Sequence, residues 1–444
     1  MQLPVHLLNS LRDVAGFDKE AFEKVHRAAE EITSIRINPA KRSAIQNVKS
    51  QIPWTEFGYY LRERPSFTFD PLFHAGSYYV QEASSMFLEQ AFKQLIDLSR
   101  PLKVLDLSAA PGGKSTHIQS LISPDSLLVS NDVIRSRAGI LKDNIIKWGC
   151  ENVMVTNNDP KDFEALEDYF DIIVVDAPCS GSGLFRREPD AIEEWSLNHV
   201  QLCSQRQQRI VADVWNSLKK NGLLIYSTCS YSTEEDEAIV EWMLKQLSAV
   251  YCPLSIDPGW GIIESNAGYR FWPHKLKGEG FFLSCLKKSG EDNPSQAKSQ
   301  RAPAFASKKE NDIIDRWAVL AGRKLVKSQE RVYAWPEHLS KEFNFLLNQL
   351  RVVYSGTILG AILREKFVPD HALAMSSIKS ASINRIELTY EQAIAYLKRK
   401  DLSIGNVQKG WQLVTFENHT LGWINALSNR INNYYPKELR ILKD

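Results

Sequence analysis

VLDLSAAPGGKSTHI, residues Val104 to Ile118, reads as a short apolar strand, a glycine turn and the start of a helix. Gly112 and Gly113 fall where strand passes into helix, a place where backbone comes close to a ligand and a Cβ is not tolerated. A Walker-type phosphate loop needs G-x-x-x-x-G-K-[ST]; Gly113, Lys114 and Ser115 supply its end, but Ser108 stands at the leading position. The dinucleotide pattern G-x-G-x-x-G is absent. A short glycine turn followed about 20 residues on by an acid, here Asp132, suits S-adenosylmethionine, which offers ribose hydroxyls but no phosphates.

Outward from this turn, short apolar runs alternate with longer amphipathic stretches: KVLDL, SLLVSND, NVMVTNND, FDIIVVDAP and GLLIYSTCS. That alternation predicts a parallel sheet with helices on both faces, and continuous apolar strands are what double-sided burial demands. Polar residues sit at the strand ends, at Asp106, Asp132, Asp159, Asp176 and Cys229. In such sheets ligands bind outside the carboxyl ends of the strands, so these five positions are expected around one crevice.

Two of the strands carry thiols. FDIIVVDAPCSGSGLFRREPD delivers Asp176, Pro178 and Cys179, and LLIYSTCSYSTEEDE delivers Thr228 and Cys229. A lone cysteine after a strand is ordinarily a small buried hydrophobe. Two of them beside a cofactor turn, with an aspartate between, fit one demanding methylation. Carbon 5 of cytosine is not nucleophilic while the ring is aromatic. A thiolate adding to carbon 6, with a hydrogen bond or proton supplied at the ring nitrogen beside the carbonyl, makes carbon 5 an enamine carbon able to take a methyl group. Asp176 suits the acid role if a crevice without bulk water raises its pKa, and one cysteine must be the nucleophile. Chemistry alone does not say which.

The flanks carry their own patterns. At 444 residues the chain exceeds what one hydrophobic core organises. Helices are predicted over Pro4–Phe17 and Asp18–Ile32, the second capped by Asp18 with Phe22, Val25, Ala29 and Ile32 on one face. SIRINPAK predicts a strand stopped by Pro39. The expected division is an N-terminal α+β extension over 1–76, the cofactor domain over 77–288, a polar linker over 289–309 and a C-terminal region over 310–444 with strands at TILGAIL and WQLVTF. Residues 1–288 hold 31 Lys and Arg against 37 Asp and Glu, while 289–444 hold 23 against 16, a basic C-terminal third suited to a polyanion. The six cysteines form no C-x-x-C pair, arguing against zinc, and no metal is expected. The N-terminal segment lacks a basic region ahead of an apolar run, and no window approaches the ~18 apolar residues of a membrane span, so a soluble cytoplasmic protein is expected.

Taken together, the residues resemble the Sun-type RNA (cytosine-5) methyltransferases. The glycine turn, Asp-Ala-Pro-Cys and Thr-Cys motifs stand in the family order, and RINP, YYVQEASS and PHKLKGEGFFLSCL (Pro273–Leu286) extend the likeness over nearly all of the chain. The resemblance implies a Rossmann-like class I methyltransferase domain of α/β class, with a small N-terminal α+β domain and a C-terminal PUA-like α+β domain. It implies Cys229 as the nucleophile, Cys179 in release of the methylated product and Asp176 as an acid/base contact. Cofactor contacts carry over to Ser108, Ala109, Ala110, Pro111, Gly112, Gly113, Lys114, Asp132, Asp159 and Asp176. The C-terminal part, with HALAMS, AYLKRKDL and LGWINALSNRINNYYP, is similar to the PUA-like end of the ribosomal RNA small subunit methyltransferase F type. Small-subunit ribosomal RNA, or the subunit itself, is then the implied partner; a monomer is the default expectation. Two positions depart from the pattern: Ser108 stands where cysteine is common, and Ser182 where this subtype often has an acid.

For RNA contact the candidates are Arg36, Arg186, Arg187, Lys398, Arg399, Lys400 and Arg430, with Trp411, Trp423, Tyr434 and Tyr435 able to stack on splayed bases. His74, His274 and His371 lack metal-like spacing and read as structural. Two alternatives stand beside this reading: the same chemistry on transfer RNA, and a catalytically silent ribosome-assembly factor, against which Cys179, Cys229 and Asp176 argue. Methylation of an amino group would want Asn/Asp-Pro-Pro-aromatic after the strand, where this chain has Asp-Ala-Pro-Cys.

Overall fold

The computed structural model describes residues 2–28, 30–43, 47–290, 302–405 and 407–443. Its centre is a mixed sheet whose parallel part runs Leu218–Thr228, Phe170–Asp176, Lys103–Asp106, Leu127–Asn131, Val153–Thr156 from side to side. All five predicted strands are present. Within each, alternate residues face opposite ways, and both ways are buried. Val104, Leu128, Val155, Ile172, Val174 and Ile225 join a cluster with Ile118, Leu141 and Ile145 from the helices Gly113–Leu121 and Arg135–Trp148. Their neighbours Leu105, Leu127, Val129, Met154, Ile173, Val175 and Leu224 join another with Ile210, Val214, Ile239 and Met243 from the helices Leu197–Trp215 and Glu237–Gln246. This is the three-layer arrangement that the apolar runs predicted.

Antiparallel strands extend the sheet at both ends. Phe281–Lys288 lies beside Leu218–Thr228, followed by Gly268–Phe271 and Ile263–Ser265. At the other edge Val352–Ser355 pairs with Val153–Thr156, and the helix Ser340–Gln349 buries Phe343 and Leu346 in the second cluster. Chain beyond the expected linker therefore returns to complete the central sheet. The order of the parallel strands reverses between Lys103–Asp106 and Phe170–Asp176, which opens a crevice at their carboxyl ends.

The N-terminal sheet is antiparallel, in the order Val48–Gln51, Gly58–Leu61, Ser34–Ile37, Tyr78–Val80. Its last strand lies past the boundary expected at Ser77, because Ile35 pairs with Val80. The two predicted helices are shorter than expected, Val5–Ser10 and Lys19–Ala28. Asp18 does accept a hydrogen bond from the Ala21 N–H, at 3.0 Å. The buried residues of that helix are Phe22 and His26, one turn apart; Ala29 lies outside the described residues. Burial pushes His26 down to about 4, and its Nδ1 sits 2.8 Å from the Phe22 carbonyl.

Of the expected linker, 291–301 lie outside the described residues. The remainder is not all linker: Phe305 bridges to Val326, and Ser307 caps the helix Lys308–Ile314 in a reciprocal box with Glu310. Two four-stranded sheets follow. Arg323–Ser328, Arg331–Pro336, Thr357–Leu363 and Lys366–Pro369 make the first, and Arg385–Glu387, Gly410–Phe416, His419–Ala426 and Ile431–Asn433 the second. Trp317 and Trp423 meet edge to face at 5.9 Å in the core between them. Among the described residues no helix is long and apolar enough to cross a membrane.

Candidate active site

The glycine turn and both thiol loops emerge into the crevice. Gly112 adopts φ +115°, a backbone that side chains rarely allow, and so sets the start of the helix Gly113–Leu121. Arg137 donates to the Ala110 carbonyl at 2.8 Å and stands 3.5 Å from Asp132, joining the turn to the acid at the end of the next strand. Asp132 is buried, with one oxygen accepting the Ile134 N–H at 2.9 Å. Val133 and Ile134 beside it are exposed apolar surface, 55% and 48%. Asp159 caps the turn Pro160–Ala165 and keeps a half-exposed carboxylate. An acid for hydroxyls, an apolar face for an adenine ring and a helix N-terminus for a carboxylate are the donor set that S-adenosylmethionine requires, so the residues fit it.

Asp106 ends the central strand beneath the turn. It is fully buried, accepts the Ser115 hydroxyl at 2.6 Å, and is pushed up to about 7 by burial, with Lys114 opposing and Asp176 and Asp132 adding to the rise. Its other oxygen has no protein partner.

Asp176 lies next along the crevice. Lys114 Nζ is 2.7 Å from its Oδ2, and the Ser227 hydroxyl donates to its Oδ1 at 2.8 Å. The carboxylate is 37% exposed and paired with the Lys114 ammonium.

Three residues on, Cys179 Sγ lies 3.1 Å from Cys229 Sγ. The strand register explains the meeting, because Asp176 pairs with Ser227 and both chains then turn at the same level. The hydrogen bond with Cys229, followed by burial, pushes the Cys179 thiol well above its usual range. Both cysteines are only partly enclosed, whereas Cys203 and Cys285 are buried away from the crevice.

Behind the thiols lies a group that sequence reasoning missed. Glu235 is fully buried and accepts three short hydrogen bonds: from the Ser180 N–H at 2.7 Å, the Ser180 hydroxyl at 2.5 Å and the Ser230 hydroxyl at 2.6 Å. Gln207 donates to the Pro178 carbonyl at 3.1 Å on the same side. Asp236 accepts the Thr228 hydroxyl at 2.5 Å and pairs with the buried Arg270 at 3.3 Å. A run of acids such as TEEDE reads as a solvated face, and the sequence holds no period to say otherwise. The signal was its distance of a single turn from the thiol. Ser182, the departure noted above, is buried and accepts the Tyr231 N–H at 2.9 Å.

The RNA-contact candidates divide. Arg36 is fully buried and is a structural residue: it donates to Gln81, Gly113, Thr116 and Ser120. Arg186 is bound to the Gly278 and Glu30 carbonyls, and its side chain is 2% exposed. Trp423 and Tyr435 belong to cores. Arg187, Lys400, Arg430 and Tyr434 are exposed. His74 and His274 contact backbone carbonyls, and burial pushes His371 down to about 3, in keeping with structural roles.

Four family models match the chain in succession. They are the N-terminal domain of 16S rRNA methyltransferase RsmF over 3–83, 16S rRNA methyltransferase RsmB/F over 94–287, the RsmF rRNA methyltransferase first C-terminal domain over 308–376 and the methyltransferase RsmF PUA domain over 383–441. The chain belongs to the RsmB/F family of 16S rRNA methyltransferases. It is an S-adenosylmethionine-dependent RNA methyltransferase with N-terminal and PUA-like flanking domains. It is similar to the ribosomal RNA small subunit methyltransferases F of Shewanella piezotolerans, 29% identical over 91% of this chain and 90% of that one, and of Escherichia coli O127:H6, 28% identical with the same coverage. Among solved structures, a methyltransferase homologue from Pyrococcus horikoshii superposes with TM-score 0.52 at 26% identity, covering 64% of this chain and 100% of that one. NSun6 from the same organism, solved with SFG, shares the fold, with TM-score 0.55 at 22% identity over 65% of this chain and 99% of that one.

Proposed function

We propose that this RsmB/F-family enzyme methylates carbon 5 of a cytosine in small-subunit ribosomal RNA, acting as a cytoplasmic monomer, with Cys229 as nucleophile. The observation that carries the residue roles is the meeting of two thiols at 3.1 Å, next to a carboxylate held by Lys114 and Ser227. S-adenosylmethionine, when bound by Ser108–Lys114, Asp132, Asp159 and Asp176, supplies an electrophilic methyl group. Cys229 adds to carbon 6 of the cytosine, forming the sulfur–carbon bond. The displaced electron pair moves through the ring to the nitrogen beside the carbonyl, where Asp176 in its protonated form supplies the hydrogen bond or proton. Carbon 5 becomes the enamine carbon that takes the methyl group, and the Lys114 ammonium steadies the carboxylate left behind. After transfer, the carbon 5 hydrogen leaves as a proton, the sulfur–carbon bond breaks and aromaticity returns. Cys179, which keeps its proton, stands where it hands a hydrogen bond to the departing Cys229 thiolate. Arg187, Lys400, Arg430 and Tyr434 offer exposed contacts to the RNA.

The test is transfer of labelled methyl to unmodified small-subunit RNA, small-subunit particles and transfer RNA, with denaturing gels for covalent adducts. Wild type labels cytosine in the subunit or its RNA, Cys229→Ala neither methylates nor forms an adduct, and Cys179→Ala accumulates one. Exchange of the two behaviours reverses the roles. Preferential labelling of transfer RNA replaces the substrate, and no labelled cytosine in any RNA, with cofactor bound, favours an assembly factor.

A further inference from the structure

The proposed roles of Cys179 and Cys229 require two sulfurs on separate strands to stay in contact while one bonds to the base and then leaves it. Neither loop secures this by itself. Each continues from its cysteine into a short polar turn, Cys179-Ser180-Gly181 and Cys229-Ser230-Tyr231, and the regular strand pairing ends at Asp176 and Ser227. Further along, the Gly183 N–H donates to the Cys229 carbonyl at 2.8 Å and the Tyr231 N–H to the Ser182 hydroxyl at 2.9 Å. At the residues directly after the cysteines, the join is made by one carboxylate. Oε1 of Glu235 accepts the Ser180 N–H, and Oε2 accepts both the Ser180 and the Ser230 hydroxyls. Glu235 thus bonds to the residue directly after each cysteine.

We infer that Glu235 is a positioning residue of this site: its carboxylate clamps the turn behind Cys179 to the turn behind Cys229 and so sets the separation of the two sulfurs. The clamp is anchored from both sides. Glu235 occupies the turn leading into the helix Glu237–Gln246, its own carbonyl accepts the Tyr226 hydroxyl at 2.7 Å, and the neighbouring Asp236 holds Thr228, the residue before Cys229, at 2.5 Å. Gln207 reaches the Pro178 carbonyl and lies 3.4 Å from Glu235 Oε1. Burial of a carboxylate is costly unless it is fully hydrogen-bonded, and all its direct hydrogen bonds here go to the cysteine turns and to the residue bracing them. Acids that serve only the fold have no reason to converge on the two residues flanking the chemistry.

This inference rests on the two-cysteine reading above, and the experiment separates the two. Cys179–Cys229 pairing is measured directly as a thiol–disulfide equilibrium with glutathione, in which two protein thiols are oxidised as one glutathione disulfide is reduced to two thiols, with the cross-linked peptide quantified by mass spectrometry. The same proteins are assayed for methyl transfer to cytosine, cofactor affinity and thermal midpoint. Glu235→Ala removes the clamp, and Glu235→Asp keeps the charge but shortens the reach by one methylene. Glu235→Gln keeps an acceptor for the Ser180 N–H and turns an amide donor to two hydroxyls that can accept.

Loss of buried hydrogen bonds to a charged acceptor corresponds to a fall of about 10- to 100-fold in the pairing equilibrium and in kcat for Ala and Asp. Cofactor affinity and RNA KM stay within about threefold, and Gln recovers at least about tenfold over Ala in both readouts, because hydrogen bonds rather than charge make the clamp. Pairing and kcat near wild type in Ala or Asp overturn the inference. So does a Gln variant as poor as Ala, or parallel losses of cofactor affinity and thermal midpoint in all three. If wild type itself methylates no cytosine, the proposed function fails while the thiol equilibrium still judges the clamp.

Discussion

Arg36 gives the sharpest division between a binding surface and a structural core. Its guanidinium is inaccessible, lies 4.5 Å over the Trp148 ring and donates to Gln81 Oε1 at 2.9 Å, Thr116 Oγ1 at 2.6 Å, Ser120 Oγ at 3.2 Å and the Gly113 and Thr116 carbonyls at 3.3 Å. Methionine at this position fills similar length without donors. The Gly113 carbonyl retains the Thr116 hydroxyl at 3.1 Å, and the Thr116 carbonyl retains the Ser120 hydroxyl at 3.0 Å. The Gln81 side-chain oxygen loses its Arg36 donor. One buried acceptor left without that donor costs about 1–3 kcal/mol, and the lost charged bonds, net of the guanidinium no longer being desolvated, add about another 1 kcal/mol. Arg36→Met is therefore expected to lower unfolding free energy by about 2–4 kcal/mol in urea. Because Gly113 and Thr116 form the first turn of the helix behind the cofactor turn, cofactor affinity by calorimetry falls as well. The salt dependence of RNA binding stays that of wild type, since no phosphate contact is removed. Arg187→Met, at an exposed position, should do the reverse: unchanged stability and a shallower salt slope. If Arg36→Met unfolds like wild type and instead weakens RNA binding, the guanidinium is a surface group and the reasoning fails.

Asp106 sets a pH dependence. The folded state keeps its proton to about pH 7, whereas an unfolded aspartate releases it near 4, so the fold binds more protons between these values and loses stability as pH rises through them. Three pH units correspond to a loss on the order of 4 kcal/mol. Asp106→Asn, with Lys114, Asp132 and Asp176 unchanged around it, should gain on wild type progressively from pH 4.5 to 8 in urea midpoint, and a constant difference across that range would falsify the assignment. Gly183 has no room for a side chain: a Cβ there would lie 2.6 Å from both the Cys229 and Gly280 carbonyl oxygens. Backbone must yield, so Gly183→Ala should lower kcat by about 100-fold or more through displaced Cys229, and a variant with wild-type turnover would show the contact to be harmless.

The legible and illegible parts of the chain differ in what their residues contact. Strands buried on both faces announce themselves as unbroken apolar runs, so all five parallel strands and the crevice at their ends could be read from residues 103–228. Residue chemistry placed Asp176, Cys179 and Cys229 together, because strand ends in a doubly wound sheet have few places to go. Long-range polar partners leave no such trace. Nothing near Arg36 indicates that Thr116, 80 positions away, consumes its charge. The same silence hides Val352–Ser355, whose place at the sheet edge is decided by pairing with Val153–Thr156 rather than by its own pattern. The apolar periodicity of the first helix runs to Phe17, but the chain leaves the helix after Ser10 and turns through Gly16, at φ +78°, where it packs against Ile263.

These polar links also explain why the flanking segments and the methyltransferase sheet act as one body at the cofactor turn. Arg36 reaches the turn's helix from the N-terminal sheet, and Lys41 donates to the Lys147 carbonyl at 2.6 Å and the Ala75 carbonyl at 3.1 Å, closing the end of the helix Arg135–Trp148. The first turn of that same helix carries Arg137, which holds Asp132 and the Ala110 carbonyl. Arg323 forms a two-pronged pair with Glu151 at 2.7 Å on each oxygen, so the third sheet is tied to the loop that follows the helix. That helix thus has one end at the cofactor crevice and the other, with the loop that follows it, clasped by both flanking units. The flanking units are then part of what shapes the crevice, since Arg36 holds the helix that opens at Gly113 and Lys41 the end of the helix that carries Arg137.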